Sequence, residues 1–258
     1  MTQPHKSIWN TQTGQGRRSL TVCNDKKNAA VVIPAYNEEN CIGNTIRALK
    51  NISAINEILV VDDGSSDNTA GVAVQEGARL LKLDKNYGKG YAVLQGIKAV
   101  SCPIILLLDA DLGESAREAE KLIQPILECK ADVTIARFPG NLAKSGFGLV
   151  KGLSRLGVRM LTGKDFKAVL SGQRGFRRDI IEPGFFMYKG FGIEFGMTVD
   201  LINRGVRICE VDVQTSHDAT GMNLPGIVHR ARQFRDIMMV LLGKACGKVV
   251  TKGEYGHN

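Results

Sequence analysis

An open α/β sheet, mostly parallel and covered by helices on both faces, is what this sequence predicts, and three observations carry it. The first is Ile104-Ile105-Leu106-Leu107-Leu108 followed by Asp109-Ala110-Asp111. An unbroken apolar run reads as a central strand buried on both faces, and the two carboxylates mark its exit. The second is the alternation of short β-rich runs with helical periodicity from residue 29 to about 137, the pattern of βαβ units. The third is that three runs end in polar clusters: Tyr36-Asn37-Glu38, Asp62-Asp63 and Asp109-Ala110-Asp111. Open α/β sheets bind ligands outside the carboxyl ends of their strands. Any one cluster alone would be ordinary turn chemistry. Their recurrence describes a nucleotide crevice.

The elements follow in order. Ala29–Pro34 is a strand, and the polar turn Ala35–Asn40 leads into a helix over 41–50 with Ile42, Ile46 and Leu49 on one face. A strand at Glu57–Val61, a helix at Thr69–Glu76 and a strand at Ala78–Leu83 come next. Asn86-Tyr87-Gly88-Lys89-Gly90 opens a helix to about Val100, before the central strand. Ser115 and Glu118 fit a capping box for a helix over 115–129, and Ala131–Ala136 is a fifth strand. Beyond 137 the pattern turns irregular. A Gly- and Lys-rich loop at Pro139–Gly148 precedes a helix near 149–162, a strand-like Ala168–Phe176 and a helix over 193–204. A strand at Val206–Val213 and a basic helix over 224–244 complete the reading.

At 258 residues, with 43% hydrophobic and 23% charged residues, the chain is globular and long enough for a substantial core. The expected organisation is a tail over 1–28, one domain over 29–246 divided near 137, and a tail over 247–258. Six scattered cysteines with no C-x-x-C pair point to reduced thiols, hence a cytoplasmic setting, and away from a disulfide framework or a zinc site. The polar first 28 residues lack a signal-peptide apolar run, and no stretch approaches the ~20 apolar residues that span a bilayer. The net charge of +8 suits an anionic ligand or membrane surface. Nucleic acid is not an expected partner, because no nucleic-acid-binding motif accompanies the charge.

Taken jointly, Val-Val-Ile-Pro-Ala-Tyr-Asn-Glu-Glu, Val-Val-Asp-Asp-Gly-Ser-Ser-Asp-x-Thr, Asn-x-Gly-Lys-Gly-x-Ala and Leu-Asp-Ala-Asp resemble a family 2 glycosyltransferase of the GT-A fold. The resemblance covers residues 29–137 and extends to about 235. It implies a Rossmann-like nucleotide-binding half with an acceptor-side carboxyl-terminal extension. It also implies that Pro34, Ala35, Tyr36, Glu38, Asp63, Lys89, Asp109 and Ala110 surround a nucleotide sugar, with UDP-sugar favoured. Tyr36 would stack on the base, Asp63 would accept from a base N–H, and Asp111 would ligate Mg²⁺ or Mn²⁺. A cation there eases departure of the diphosphate by neutralising its developing charge.

The second half adds candidates. Glu194, in Phe191-Gly192-Ile193-Glu194, can serve an acceptor hydroxyl as general base or simply complement a helix N-terminus. His217 stands where related enzymes supply a further metal ligand; a lone loop histidine is its alternative. Ser171-Gly172-Gln173-Arg174, followed by Arg177-Arg178, resembles the acceptor-side segment of dolichyl-phosphate mannosyltransferases and glucosyl-3-phosphoglycerate synthases. The resemblance therefore implies a phosphorylated acceptor, either a small molecule or a lipid phosphate. The 224–242 helix, basic through His229, Arg230, Arg232 and Arg235, either lies on an anionic membrane or packs on the domain. A homodimer is compatible with the pattern. A nucleotidyltransferase and a non-catalytic sugar-nucleotide-binding protein are the competing readings. The first lacks its glycine-rich phosphate loop, and the second predicts binding without turnover.

Overall fold

The computed structural model describes residues 29–139, 148–186, 188, 190, 192–214 and 224–246, with backbone alone for 148–149 and 224–230. The expected tails, the interior of the 139–148 loop, Phe191 and His217 lie outside the described residues, as do the side chains of His229 and Arg230.

Strands β1 (Ala29–Ala35), β2 (Ile55–Asp62), β3 (Arg79–Lys82), β4 (Ile104–Leu107), β5 (Val133–Arg137), β6 (Arg174–Arg177) and β7 (Ile208–Asp212) form one seven-stranded sheet among the described residues. Its order is β3-β2-β1-β4-β6-β5-β7. All pairings are parallel except those of β6, which runs antiparallel between β4 and β5. The continuous apolar runs are explained by burial on both faces. Along β4, Ile104 and Leu106 join one core, while Ile105 and Leu107 join the other. Each fully buried branched side chain contributes roughly 1.5–3 kcal/mol of transfer free energy.

Helices α1 (Ile42–Lys50) and α4 (Ala119–Leu127) pack their apolar stripes into the first core, and α3 (Lys89–Ala99) into the second. As the periodicity predicts, Ile42, Ile46 and Leu49 are all fully buried. Helix α2 (Thr69–Gln75) borders β3. Helices α5 (Gly148–Thr162), α6 (Gly192–Asn203) and α7 (Leu224–Ala245) gather around a third core containing Val158, Phe195, Ile237 and Val240.

Two expectations need correction. The 115–129 helix is a 3-10 turn at Gly113–Glu118 followed by α4, and no side chain caps it. Ser115 Oγ donates instead to Leu112 O (2.6 Å), and Glu118 accepts the Gln214 amide (3.0 Å), so both members of the predicted box have other partners. The strand expected over 168–176 begins only at Arg174. Arg174 itself is the reason: its guanidinium takes the carbonyls of Val169 and Ser171 (2.8 Å each), which folds the preceding residues around it.

Candidate active site at the carboxyl edge of the sheet

The loops leaving β1, β2 and β3 are tied together before any ligand is considered. Asn37, at φ 57°, accepts the Ser66 amide through its side-chain oxygen (2.9 Å), while its own N–H donates to Ser65 Oγ (3.0 Å). The Glu38 amide donates to Thr69 Oγ1 (2.7 Å). Gly64, at φ +73°, lies so close to the third loop that a Cβ would meet the Lys85 carbonyl carbon at 2.5 Å, and no other residue fits there. Asp63 accepts both the Tyr87 and Gly88 amides at 2.8 Å, fixing the loop that opens α3. Burial pushes the Asp63 carboxyl upward despite those two donors, with the neighbouring Asp62 adding to the rise.

The Asp109-Ala110-Asp111 segment is held from outside by a residue that the sequence reading passed over. Thr45, fully buried on α1, donates to Ala110 O (2.7 Å) and accepts the Gly113 amide (2.8 Å). A threonine in an amphipathic helix looks like core filling. Only its polar handle, unusual on a buried face, hints at the role.

Lys89, first residue of α3, brings the two halves of the chain together. Its Nζ lies 2.8 Å from Asp109 Oδ1 and 3.5 Å from Glu194 Oε1, in the first turn of α6. Burial disfavours its charge, but the Asp109 and Glu194 carboxylates outweigh that and hold its pKa above the usual lysine range. Gly172 reaches the same point, since a Cβ there would stand 2.8 Å from Lys89 Nζ and 3.4 Å from the Asp109 carboxylate. A small cavity opens beside them, lined by Pro34, Lys89, Asp109, Gly172, Arg174 and Glu194 over an apolar floor.

Six of the expected residues therefore meet in one cavity. Ala35 ends β1, and Tyr36, Glu38, Asp63, Ala110 and Asp111 belong to the strand-end loops; none of the six lines the cavity, and Tyr36 is 47% exposed. Ser171 and Gln173 do not line it either, and Gln173 is buried with its carbonyl accepting the Ala136 amide (3.0 Å). Arg174 is buried to 1% exposure, which pulls its guanidinium down to about 10 against the opposing influence of Glu194.

The edge is crowded with carboxylates. Glu38 is raised above its usual value first by burial and then by Asp111, Asp109 and Asp67. Among the described residues no three His, Cys, Asp or Glu side chains form a ready cation cage. Asp109 and Asp111 nevertheless offer an all-oxygen donor pair suited to Mg²⁺ or Mn²⁺, ions that commonly complete their shells with water and phosphate oxygens.

The glycosyl transferase family 2 model matches residues 30–185. Glycosyltransferase AglJ of Haloferax volcanii is 32% identical over 185 residues, covering 69% of this chain and 59% of its own length. The undecaprenyl-phosphate 4-deoxy-4-formamido-L-arabinose transferase of Serratia proteamaculans is 36% identical over 172 residues, covering 60% of this chain and 51% of its own length. The chain thus spans about half to three fifths of the curated relatives it matches. Glucosyl-3-phosphoglycerate synthase from Mycobacterium tuberculosis, crystallised with Mn²⁺, UDP-glucose and phosphoglyceric acid, superposes with a TM-score of 0.73 at 23% identity, over 92% of this chain and 86% of that one. Its complex with phosphoglyceric acid gives 0.72 at 24% identity, over 86% and 81%. The fold is the GT-A fold, and the chain belongs to glycosyl transferase family 2.

Proposed function

We propose that this protein transfers a sugar from a UDP-sugar to a small or lipid-linked acceptor that carries a phosphate, in a reaction dependent on Mg²⁺ or Mn²⁺. One observation carries the reading: Glu38, Asp109 and Asp111 share one sheet edge, where burial and then its acidic neighbours raise Glu38, beside a cavity in which Lys89 joins Asp109 to Glu194. A divalent cation bound there would relieve the repulsion between these carboxylates. Asp111 and Asp109 would hold the cation, with His217 as the further ligand in the proposal. When bound, the cation supplies charge neutralisation for the departing diphosphate.

The chain's own residues do the rest. Tyr36, exposed just beyond β1, offers its ring to the base, and Asp63 fixes the loop against which the nucleotide would lie. Lys89 stands between Asp109 and Glu194, where its ammonium can move from a carboxylate to a phosphate oxygen without leaving the cavity. Glu194 is the base proposed for the acceptor hydroxyl. The acceptor's phosphate is assigned to Ser171-Gly172, where Gly172 stands against Lys89. Arg177 and Arg178, expected to join them, lie instead at the amino edge, where Arg177 pairs with Ile104 and bonds Asp132 and Arg178 bonds Pro103. The synthase complexed with UDP-glucose and phosphoglyceric acid supports a sugar-nucleotide donor and a phosphorylated acceptor, and the undecaprenyl-phosphate relative supports a lipid phosphate.

No helix of the described residues is long and apolar enough to cross a membrane. Helix α7 packs through Ile237 and Val240 while Phe234, Met239 and Leu242 are exposed, so peripheral contact with a lipid acceptor's membrane belongs to the same proposal. A homodimer is tested by its mass in solution.

The test is thermal unfolding of wild type and Asp111→Ala with UDP, GDP or CDP, with and without Mn²⁺. A ligand at 100 times its Kd stabilises by about 2.7 kcal/mol. A Mn²⁺-dependent rise with UDP that disappears in the variant is expected. No rise with any diphosphate, with or without Mn²⁺, overturns the reading. Consumption of the UDP-sugar in the presence of 3-phosphoglycerate or a polyprenyl phosphate then separates an enzyme from a binding protein.

A further inference from the structure

Arg174 has five N–H donors, and the fold uses only some of them. Nε donates to Ser171 O (2.8 Å), and Nη2 to Val169 O (2.8 Å) and Glu194 O (3.0 Å). The remaining nitrogen, Nη1, is buried and has no partner among the described residues. A guanidinium nitrogen left unsatisfied in a dry environment is costly, because it has given up its water and gained no acceptor. Arg174 lines the cavity beside Lys89, Asp109 and Glu194, and its charge responds to the Glu194 carboxylate.

The wall of that cavity distinguishes between ligands. Lys89 and Arg174 contribute two positive charges, and Asp109 and Glu194 two negative ones, so the lining is neutral overall while holding both donors and acceptors. A phosphate dianion entering it would meet two carboxylates. A neutral polyol would meet donors and acceptors alternately, above an apolar floor that includes Val93, Leu107 and Phe186. That combination suits a sugar ring, with its hydroxyl edge and C–H faces.

We propose that Nη1 of Arg174 donates to a hydroxyl of the sugar being transferred, making this arginine a determinant of donor-sugar specificity and not a ligand of the acceptor's phosphate. The same guanidinium bonds the carbonyl of Glu194, so sugar recognition and the placement of that residue are joined through one side chain. The inference rests on the reading of the cavity as part of a UDP-sugar site.

Two experiments test it. In the first, calorimetry compares UDP with UDP-glucose, UDP-galactose and UDP-N-acetylglucosamine on wild type and Arg174→Lys, followed by the monodeoxy forms of the preferred donor. UDP affinity should be unchanged by the substitution, while affinity for the preferred UDP-sugar falls 10-fold or more. One monodeoxy donor should show the same loss on wild type and no further loss on the variant. If Arg174→Lys binds UDP and ranks all donors as wild type does, the proposal is wrong. If UDP itself fails to bind wild type, the donor-site reading falls instead. The second experiment does not need the variant to fold. A crystal structure of the wild-type chain with the 2-fluoro analogue of the preferred UDP-sugar should place a sugar oxygen within hydrogen-bond distance of Nη1. A sugar ring lying elsewhere, with Nη1 facing protein or water, overturns the inference.

Discussion

The two edges of this one sheet treat acidic residues in opposite ways. At the amino edge, Asp132 stands just before β5 and is surrounded by arginines. It accepts Arg177 Nη1 (3.0 Å), Arg207 Nη2 (2.8 Å), Arg207 Nε (2.9 Å) and the Arg207 amide (3.1 Å). The Arg207 hydrogen bonds hold its carboxyl below the usual value against the opposing effect of burial, with Arg177 helping. At the carboxyl edge, Glu38 is raised by burial and by three other carboxylates, and Asp63 is raised by burial. The amino edge has satisfied its charges internally. The carboxyl edge leaves acidic groups close together, an arrangement that stabilises a bound cation at the expense of the empty fold.

The largest effect expected from breaking this contrast is at the amino edge. Asp132→Ala removes the acceptor of four hydrogen bonds from a residue whose side chain is 14% exposed. About 3 kcal/mol of stability should be lost, which lowers Tm by roughly 6–12 °C in a chain of this size. Urea unfolding measures it, and UDP affinity should be unaffected because the two edges are separated by the length of the strands.

Thr45→Val gives a smaller loss with a different signature. It leaves the Ala110 carbonyl and the Gly113 amide without their partner, at a cost of about 2 kcal/mol. Because those groups frame Asp109-Ala110-Asp111, the variant should also weaken Mn²⁺-dependent UDP binding, read by calorimetry. An unchanged affinity would mean that the loop does not need this tether.

The smallest effect has the opposite sign. Glu38→Gln relieves the crowding, so at pH 7 without metal its Tm should rise on the order of 1 °C. The Glu38 carboxyl lies above its ordinary value of 4.5 in the fold, so its ionisation opposes folding at neutral pH. That opposition vanishes below about 4.5, where folded and unfolded states are both protonated. Asp132 behaves in reverse. Its stabilisation is complete above 3.8 and is lost as the pH falls through its lower folded value. Melting curves of Glu38→Gln and Asp132→Ala should therefore approach wild type at low pH from opposite sides. Parallel curves for either variant would show that its charge is not the source of the difference.

Much of this was legible in the residues. The apolar run Ile104–Leu108 required burial on both faces, and the βαβ alternation fixed parallel neighbours, so the polar clusters ending successive strands had to meet at one edge. These are consequences of local pattern and of chain connectivity, and they bring Tyr36, Asp63, Lys89 and Asp109 to that edge. Two things lay beyond such reasoning. Strand β6 runs antiparallel between β4 and β5, a choice made by long-range pairing that no periodicity records. Its arrival brings Arg174 into the core and Gly172 against Lys89, while α6 carries Glu194 to the same cavity. In the sequence, Arg174 reads as an acceptor-side arginine suited to a phosphate, or as part of a solvated turn. Only packing shows that three backbone carbonyls take up two of its nitrogens and leave a third facing no partner, because burial and hydrogen-bond satisfaction depend on what the rest of the chain places around a side chain.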